Sequence, residues 1–348
     1  MQDKINPRNI LLILHGSIGD VTRALPLANL IRRGYPKAKI VWSIEPAAFP
    51  IVDRHRAVDE VVLFDRSCWW QSVAPFLKRI RSGRFDLVLD LQRILKSGLI
   101  SWWSGAPYRV GFHRRDCKEF NWLFNNRCIP AVGEAISKLN HYLRFAEFVG
   151  LKPYPIEWGI RLTPAELESV DRMLRGVGDA FAVFFVGAAW ESKKWFPSQT
   201  GKSAAEVQRR CGLEIVLLGG EEDVGFAEEV SSFPGLRATN YAGKTSLREA
   251  IGILARARVA IGPDTGLMHL SAAVGTPVVS LWGATSPVRT GPYGNEDLVT
   301  QGKASCSPCY LRRCPIGRIC MQSIDVEEVI PKVERALSER NHARGLEV

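Results

Sequence analysis

A chain of 348 residues, 46% hydrophobic and 24% charged, is long enough for two ordinary domains, and its composition excludes a collagenous or wholly disordered protein. Its formal charge of +10 is lopsided: residues 1–160 hold 24 Lys and Arg against 14 Asp and Glu, whereas residues 161–348 hold 22 against 22. No apolar run approaches the ~20 residues that cross a bilayer and the first residues do not read as a leader, so the expectation is a soluble, cytoplasmic chain.

The polar segment 1–9 is followed by the apolar run Ile10-Leu-Leu-Ile-Leu14, a short strand of the kind buried on both faces. The loop His15-Gly-Ser-Ile-Gly-Asp20, a helix over 21–33 and a second strand over 38–43 come next. Strands are expected again at 61–64 and 85–90, with a helix over 70–82 between them. After a helix over 136–149, Pro153 and Pro155 break the pattern as a linker. Thr163-Pro-Ala-Glu166 then reads as a helix start with Pro at the first helical position. It opens a second series, with strands at 181–186, 214–218, 259–261 and 278–281 and helices at 199–211, 225–231, 247–257 and 267–274. Strand and helix alternate in both halves, which predicts two doubly wound α/β domains, 1–152 and 153–348. Ligands of such domains bind at the carboxyl ends of the strands, so the expected site is a cleft between the two.

Several residues at those strand ends carry chemistry. Gly16-Ser-Ile-Gly-Asp20 lacks the third glycine of a dinucleotide fingerprint, and the chain has no G-x-x-x-x-G-K-[ST] phosphate loop. Asp20 stands where a carboxylate can accept a proton, or where a first-turn aspartate merely complements the helix dipole. Asp264, Thr265 and Gly266 precede a short helix whose free amides suit a diphosphate, and His269 lies in its first turn. The alternative there is a capping aspartate with a buried histidine. Trp190-Glu-Ser-Lys-Lys-Trp-Phe-Pro197 offers a lysine for phosphate, and Leu218-Gly-Gly-Glu-Glu-Asp223 a carboxylate for ribose hydroxyls, unless both carry only solvated charge.

Taken together, Gly16-Ser-Ile-Gly-Asp20, Lys194-Trp-Phe-Pro197, Gly262-Pro-Asp-Thr-Gly-Leu-Met-His269, Gly275-Thr-Pro277 and Leu281-Trp-Gly283 resemble the heptosyltransferases of glycosyltransferase family 9. The stretch 85–97 resembles the branch of that family acting first on the lipopolysaccharide core, with Arg93 where a glycine usually follows Gln. The resemblance implies the GT-B architecture: two facing Rossmann-like domains with an inter-domain cleft, acceptor on the first and nucleotide sugar on the second. The last helix would pack back on the first domain. It also implies inverting transfer of heptose from ADP-heptose to the Kdo residues on lipid A, at the cytoplasmic face of the inner membrane, with Asp20 as general base. Donor contacts fall to Lys194, Asp264, Thr265, Gly266 and His269, with Glu221 or its neighbour Glu222 on the ribose. Acceptor contacts fall to Gly19, Arg93 and Lys96, and no metal is required, although Mg2+ could assist loosely. Within the same fold, the alternative is another sugar or a later core heptose. In a different class, it is a non-catalytic module for anionic lipid or nucleic acid; under the transferase reading no nucleic acid is expected.

In the basic half, Arg54, Arg56, Arg93, Arg114, Arg115 and Arg144 are candidates for an anionic acceptor near a membrane. Cys306, Cys309, Cys314 and Cys320 could hold a structural Zn2+, although their spacing differs from paired C-x2-C knuckles; a disulfide framework is not expected in a reducing compartment. Cys68-Trp-Trp70 and Ser101-Trp-Trp-Ser104 read first as core, with a place at the lipid headgroups as their other use.

Overall fold

The computed structural model describes residues 5–67, 69–133 and 136–343, and the chain divides into two compact units at Arg161 and Leu162. In the first unit β1 (Asn9–Ile13), β2 (Lys39–Ile44), β3 (Glu60–Leu63), β4 (Leu87–Asp90), β5 (Tyr108–Gly111) and β6 (Arg127–Cys128) form one sheet in the order β3-β2-β1-β4-β5-β6. All neighbours are parallel. Helices α1 (Ile18–Gly34), α2 (Phe49–Val52), α3 (Trp69–Ser82), α4 (Leu95–Trp103) and α5 (Lys138–Phe148) make the crossovers and flank the sheet. Parallel strands need both faces covered, which is why Ile10 to Ile13 are apolar without alternation and wholly buried.

The second unit repeats the plan. After α6 (Pro164–Met173) come β7 (Phe181–Phe185), α7 (Pro197–Cys211), β8 (Glu214–Leu218), α8 (Val224–Ser231), β9 (Ala238–Asn240), α9 (Leu247–Arg256) and β10 (Val259–Pro263). They are followed by α10 (Gly266–Ala273), β11 (Val278–Trp282), α11 (Pro287–Thr290), β12 (Val299–Gln301), α12 (Ile319–Gln322) and α13 (Val326–Ala343). The sheet order is β12-β11-β10-β7-β8-β9, again parallel. Both sheets therefore have Rossmann strand order, with the winding reversing between β1 and β4 and between β7 and β10. Ligands of such sheets bind at that reversal.

The long buried strands and their helices stand where the alternation of the sequence puts them. The short strands β5, β6, β9 and β12, two to four residues each and β6 wholly exposed, carry too few residues to show a period, and the nine-residue helix α4 was not expected either, since its buried serines break the usual apolar stripe. α1 starts at Ile18, capped by Ser17, so Asp20 lies inside the helix rather than ahead of it. Thr163 and Glu166 form a full capping box on α6. The first unit extends past the prolines at 153 and 155, since Asn29 Nδ2 donates to the Glu157 carbonyl (2.6 Å) and His55 Nε2 lies 2.8 Å from that of Trp158. Val326, Val329, Ile330, Val333 and Ala336 of α13 form one apolar face and join the core of the second unit. Among the described residues no helix is long and apolar enough to cross a membrane.

Candidate active site

In the first unit the loop after β1 delivers Asp20 to the point where the sheet reverses. Ser17 Oγ accepts from the Asp20 amide (3.3 Å) and donates to Asp20 Oδ2 (3.1 Å). The other oxygen, Oδ1, receives Arg23 Nη2 at 2.8 Å and Lys138 Nζ at 2.7 Å. Burial alone would raise the pKa of this carboxyl, but Lys138 and Arg23 outweigh it and hold the group well below the usual carboxylate range. Gly16 lets the loop close on the carboxylate, because a Cβ there would lie 2.8 Å from Asp20 Cβ.

Asp20 opens into a cavity of about 200 Å3 whose lining includes Gly16, Arg93, Lys118, Lys138 and Tyr142. A carboxylate set among three cations can take a proton while its surroundings hold an anionic molecule. Of the three residues the family pattern places on the acceptor, Arg93 lines this cavity, with its guanidinium 5.8 Å from the Phe112 ring centre. Gly19 is buried in the first turn of α1, and Gly16 takes the lining position. Lys96 is directed elsewhere: its Nζ pairs with Glu45 Oε1 (2.8 Å) and lies 4.9 Å from the Phe64 ring centre. There it faces His15, stacked on Phe64 and 2.7 Å from Ser43 Oγ. Burial, then Lys96 and Arg66, push the His15 pKa down to about 3.

Beneath the cavity, Asp90 ends β4 and accepts from the Gln92 amide (3.1 Å), Asn121 Nδ2 (2.7 Å) and Asn125 Nδ2 (3.1 Å). Burial pushes its pKa up to about 6 against those hydrogen bonds. It anchors the turn that presents Gln92 and Arg93. Among the other arginines, Arg56 pairs with Glu157, Arg144 with Glu147 and Arg54 with Asp53. Lys118 and Lys138 carry no local motif that marks them in the sequence.

In the second unit the loops after β7, β8 and β10 gather the donor-type residues. Asp264 follows β10 and is buried; its Oδ2 receives Lys193 Nζ at 2.7 Å and Thr285 Oγ1 at 2.7 Å. Thr265 caps α10 with extended backbone and no side-chain bond to the helix amides, so the positive end of α10 beginning at Gly266 carries no side-chain cap. His269 is buried on the first full turn of that helix. Lys194 Nζ lies 2.5 Å from Asp223 Oδ1. The adjacent lysines thus reach two different carboxylates, and Lys193, not singled out in the sequence, is the one on the α10 loop. Glu221 and Glu222 are exposed beyond β8, while Asp223 is buried and accepts from the Gly220 amide (3.1 Å).

The four clustered cysteines are free thiols, Cys306 exposed and Cys320 buried. Among the described residues no three His, Cys, Asp or Glu side chains stand where they could hold one metal ion, these four thiols included. Their segment instead braces the lysine loop: Arg318 pairs with Glu191 (2.9 Å) and donates to the Lys194 carbonyl (3.0 Å). The tryptophans also depart from the core reading, Trp70, Trp102 and Trp103 being 66%, 55% and 42% exposed; Cys68 lies outside the described residues.

Residues 73–319 match the model of glycosyltransferase family 9 (heptosyltransferase). The chain is 22% identical to the lipopolysaccharide core heptosyltransferase OpsX of Haemophilus influenzae, covering 94% of this chain and 97% of that one. It is 28% identical to lipopolysaccharide heptosyltransferase 1 of Pseudomonas aeruginosa, covering 88% and 87%. The structure of E. coli ADP-heptose LPS heptosyltransferase II superposes with a TM-score of 0.75 at 21% identity, covering 96% and 99%. The fold is of the GT-B class, and the protein is a glycosyltransferase. It belongs to glycosyltransferase family 9, the heptosyltransferases.

Proposed function

We propose that this chain transfers heptose from ADP-heptose to the Kdo residues of a lipid A-linked inner core, inverting the anomeric centre. The observation that carries this reading is Asp20, a carboxylate kept ionised at the carboxyl end of β1 inside a cavity lined by Arg93, Lys118 and Lys138. An acceptor that carries carboxylates and phosphates suits such a lining. Asp20 takes the proton of the acceptor hydroxyl as its oxygen bonds to the anomeric carbon, while the bond from that carbon to the β-phosphate of ADP breaks. The departing diphosphate is met by the amides at the start of α10, with Thr265 and Gly266, and by Lys193 and Lys194; His269 stands beside it. Glu221, exposed beyond β8, serves the ribose. Fixed positive charge from a helix end and two lysines serves the diphosphate leaving group, so no Mg2+ is required. Since the acceptor is lipid-anchored, the enzyme works at the cytoplasmic face of the inner membrane, with no nucleic-acid partner.

The relatives named for the lipopolysaccharide core and for heptosyltransferase 1 support the choice of acceptor, and the one named for ADP-heptose supports the donor. The test is ADP release from ADP-heptose with Kdo-lipid A. Release that requires both substrates supports the reading. Release only with a heptosylated acceptor or another nucleotide sugar moves it to a later core step or another sugar. Salt-sensitive binding of the acceptor without turnover would replace it with a binding module.

A further inference from the structure

Helix α4 shows most of its large apolar side chains to the outside. An amphipathic helix normally hides its apolar stripe, yet Ser97 and Ser101 of α4 are fully buried while Leu95, Leu99, Trp102 and Trp103 are 40%, 43%, 55% and 42% exposed. The spacing of those four residues puts them on one face. The cause lies underneath. Ser101 Oγ donates to Asn125 Oδ1 (2.7 Å), and Asn121 Nδ2, 2.7 Å from Asp90, also reaches Ser97 Oγ (3.1 Å). Ile100 joins the core, but Ser97 and Ser101 commit the rest of the inner face of α4 to the polar network around Asp90, and its larger apolar side chains look outward. Asn121 also donates to the Ile94 carbonyl (2.8 Å), which ties the turn 121–123 to α4. That turn adds Phe120, Trp122 and Leu123, which are 70%, 41% and 59% exposed.

Beside this apolar surface is a cavity of about 360 Å3 lined by Arg81, Trp102, Trp103, Gly105 and Arg109. Arg81 donates to the Trp103 carbonyl (3.4 Å), and Arg109 to those of Ala106 (2.6 Å) and Phe124 (3.0 Å). Neither meets a carboxylate among the described residues. Two guanidiniums held by carbonyls, rimmed by indoles and next to outward leucines, make a complementary surface for phosphate heads above acyl chains. The charge excess of residues 1–160 has the same sign.

We infer that α4 and the turn 121–123 dock this chain on an anionic phospholipid bilayer, with Trp102 and Trp103 at headgroup depth and Arg81 and Arg109 on lipid phosphates. The inference does not rest on the transfer reaction, since neither Asp20 nor the donor-type residues belong to this surface.

The test is co-sedimentation of the full chain with phosphatidylcholine vesicles, with and without phosphatidylglycerol. It is paired with quenching of its tryptophan fluorescence by brominated lipids, which requires no variant. The native chain should bind only the anionic vesicles, less at high salt, and be quenched by lipids brominated near the headgroup. Trp102→Ser with Trp103→Ser should reduce partitioning on the order of tenfold or more, and Arg81→Gln about fivefold, with unchanged circular dichroism. Absence of anionic-vesicle binding at low salt, or equal binding by the tryptophan variant, would overturn the inference. So would loss of self-association in that variant without vesicle binding by the native chain, which would give the face to a second copy.

Discussion

Lys138 Nζ and Arg23 Nη2 share one oxygen of Asp20, at 2.7 and 2.8 Å, although Lys138 is 118 residues away in the chain. The packing of α5 against α1 creates the pair. With both cations on Oδ1, Oδ2 is left with the Ser17 hydroxyl and is the oxygen available to an incoming acceptor proton. The same cations keep the carboxyl well below its ordinary pKa, which makes it ionised but weakly basic, so an anionic acceptor that drew Lys138 away would strengthen the base.

Lys138→Met should therefore shift the acid limb of the kcat/KM profile to higher pH, because Arg23 alone, working against burial, depresses the Asp20 pKa less. A depressed carboxyl pKa contributes stability above its unfolded value that is lost on acidification, so the variant should also be less stable than the native chain at neutral pH. A pH-rate profile with urea melts checks both. An unmoved acid limb would show that Lys138 does not control this carboxyl.

The two lysines after β7 should separate in their effects. Lys193→Ala removes the cation on the α10 loop and should raise KM for the nucleotide sugar about ten- to a hundredfold, the range of a charged hydrogen bond, with a stability cost of its own because buried Asp264 keeps only the Thr285 hydroxyl. Lys194→Ala leaves Asp223 buried without its cation and should cost about 1–3 kcal/mol in urea unfolding. Steady-state kinetics and unfolding of both variants would reveal whether the roles are reversed.

His15 gives the fold an acid sensitivity of its own. Its pKa is lowered from 6.5 to about 3, so its contribution is complete above pH 6.5 and is lost as pH falls toward 3. The native chain should lose up to about 1.4 kcal/mol per pH unit from this group below pH 6.5. His15→Phe should show a flatter decline, whatever its absolute stability. Urea midpoints measured from neutral to acid pH decide the matter, and parallel curves would count against His15.

Gly262 occupies φ +153°, and a Cβ there would come within 2.7 Å of Phe185 Cβ and 3.0 Å of the Phe185 carbonyl oxygen. Gly262→Ala should destabilise the second unit by about 1–3 kcal/mol and disturb the α10 loop that follows. A calorimetric melt with no downward shift would contradict this.

The elements with long buried periods were legible, and so were the loops carrying Asp20 and Asp264, because glycine-bearing turns between apolar runs leave a mark in a single stretch of chain. Residues brought in from a distance were not. Lys138 and Lys118 enter the Asp20 cavity by tertiary packing, and nothing near them in the sequence announces it. The choice between Lys193 and Lys194 depends on how the turn Glu191–Lys193 points its side chains, which spacing alone does not reveal. Trp102 and Trp103 read as core because indoles usually are, yet the serines of α4 had already claimed the inner face through Asn121 and Asn125. A helix with a buried polar network inverts the usual inference from apolarity to burial.

The role proposed for Asp20 as base of a heptosyl transfer stands or falls on kcat for ADP release by Asp20→Asn, measured beside the native chain with ADP-heptose and Kdo-lipid A. A loss of about a hundred- to ten-thousandfold in kcat is expected, with KM for ADP-heptose little changed and the fold intact. Turnover by Asp20→Asn at the native rate would contradict it.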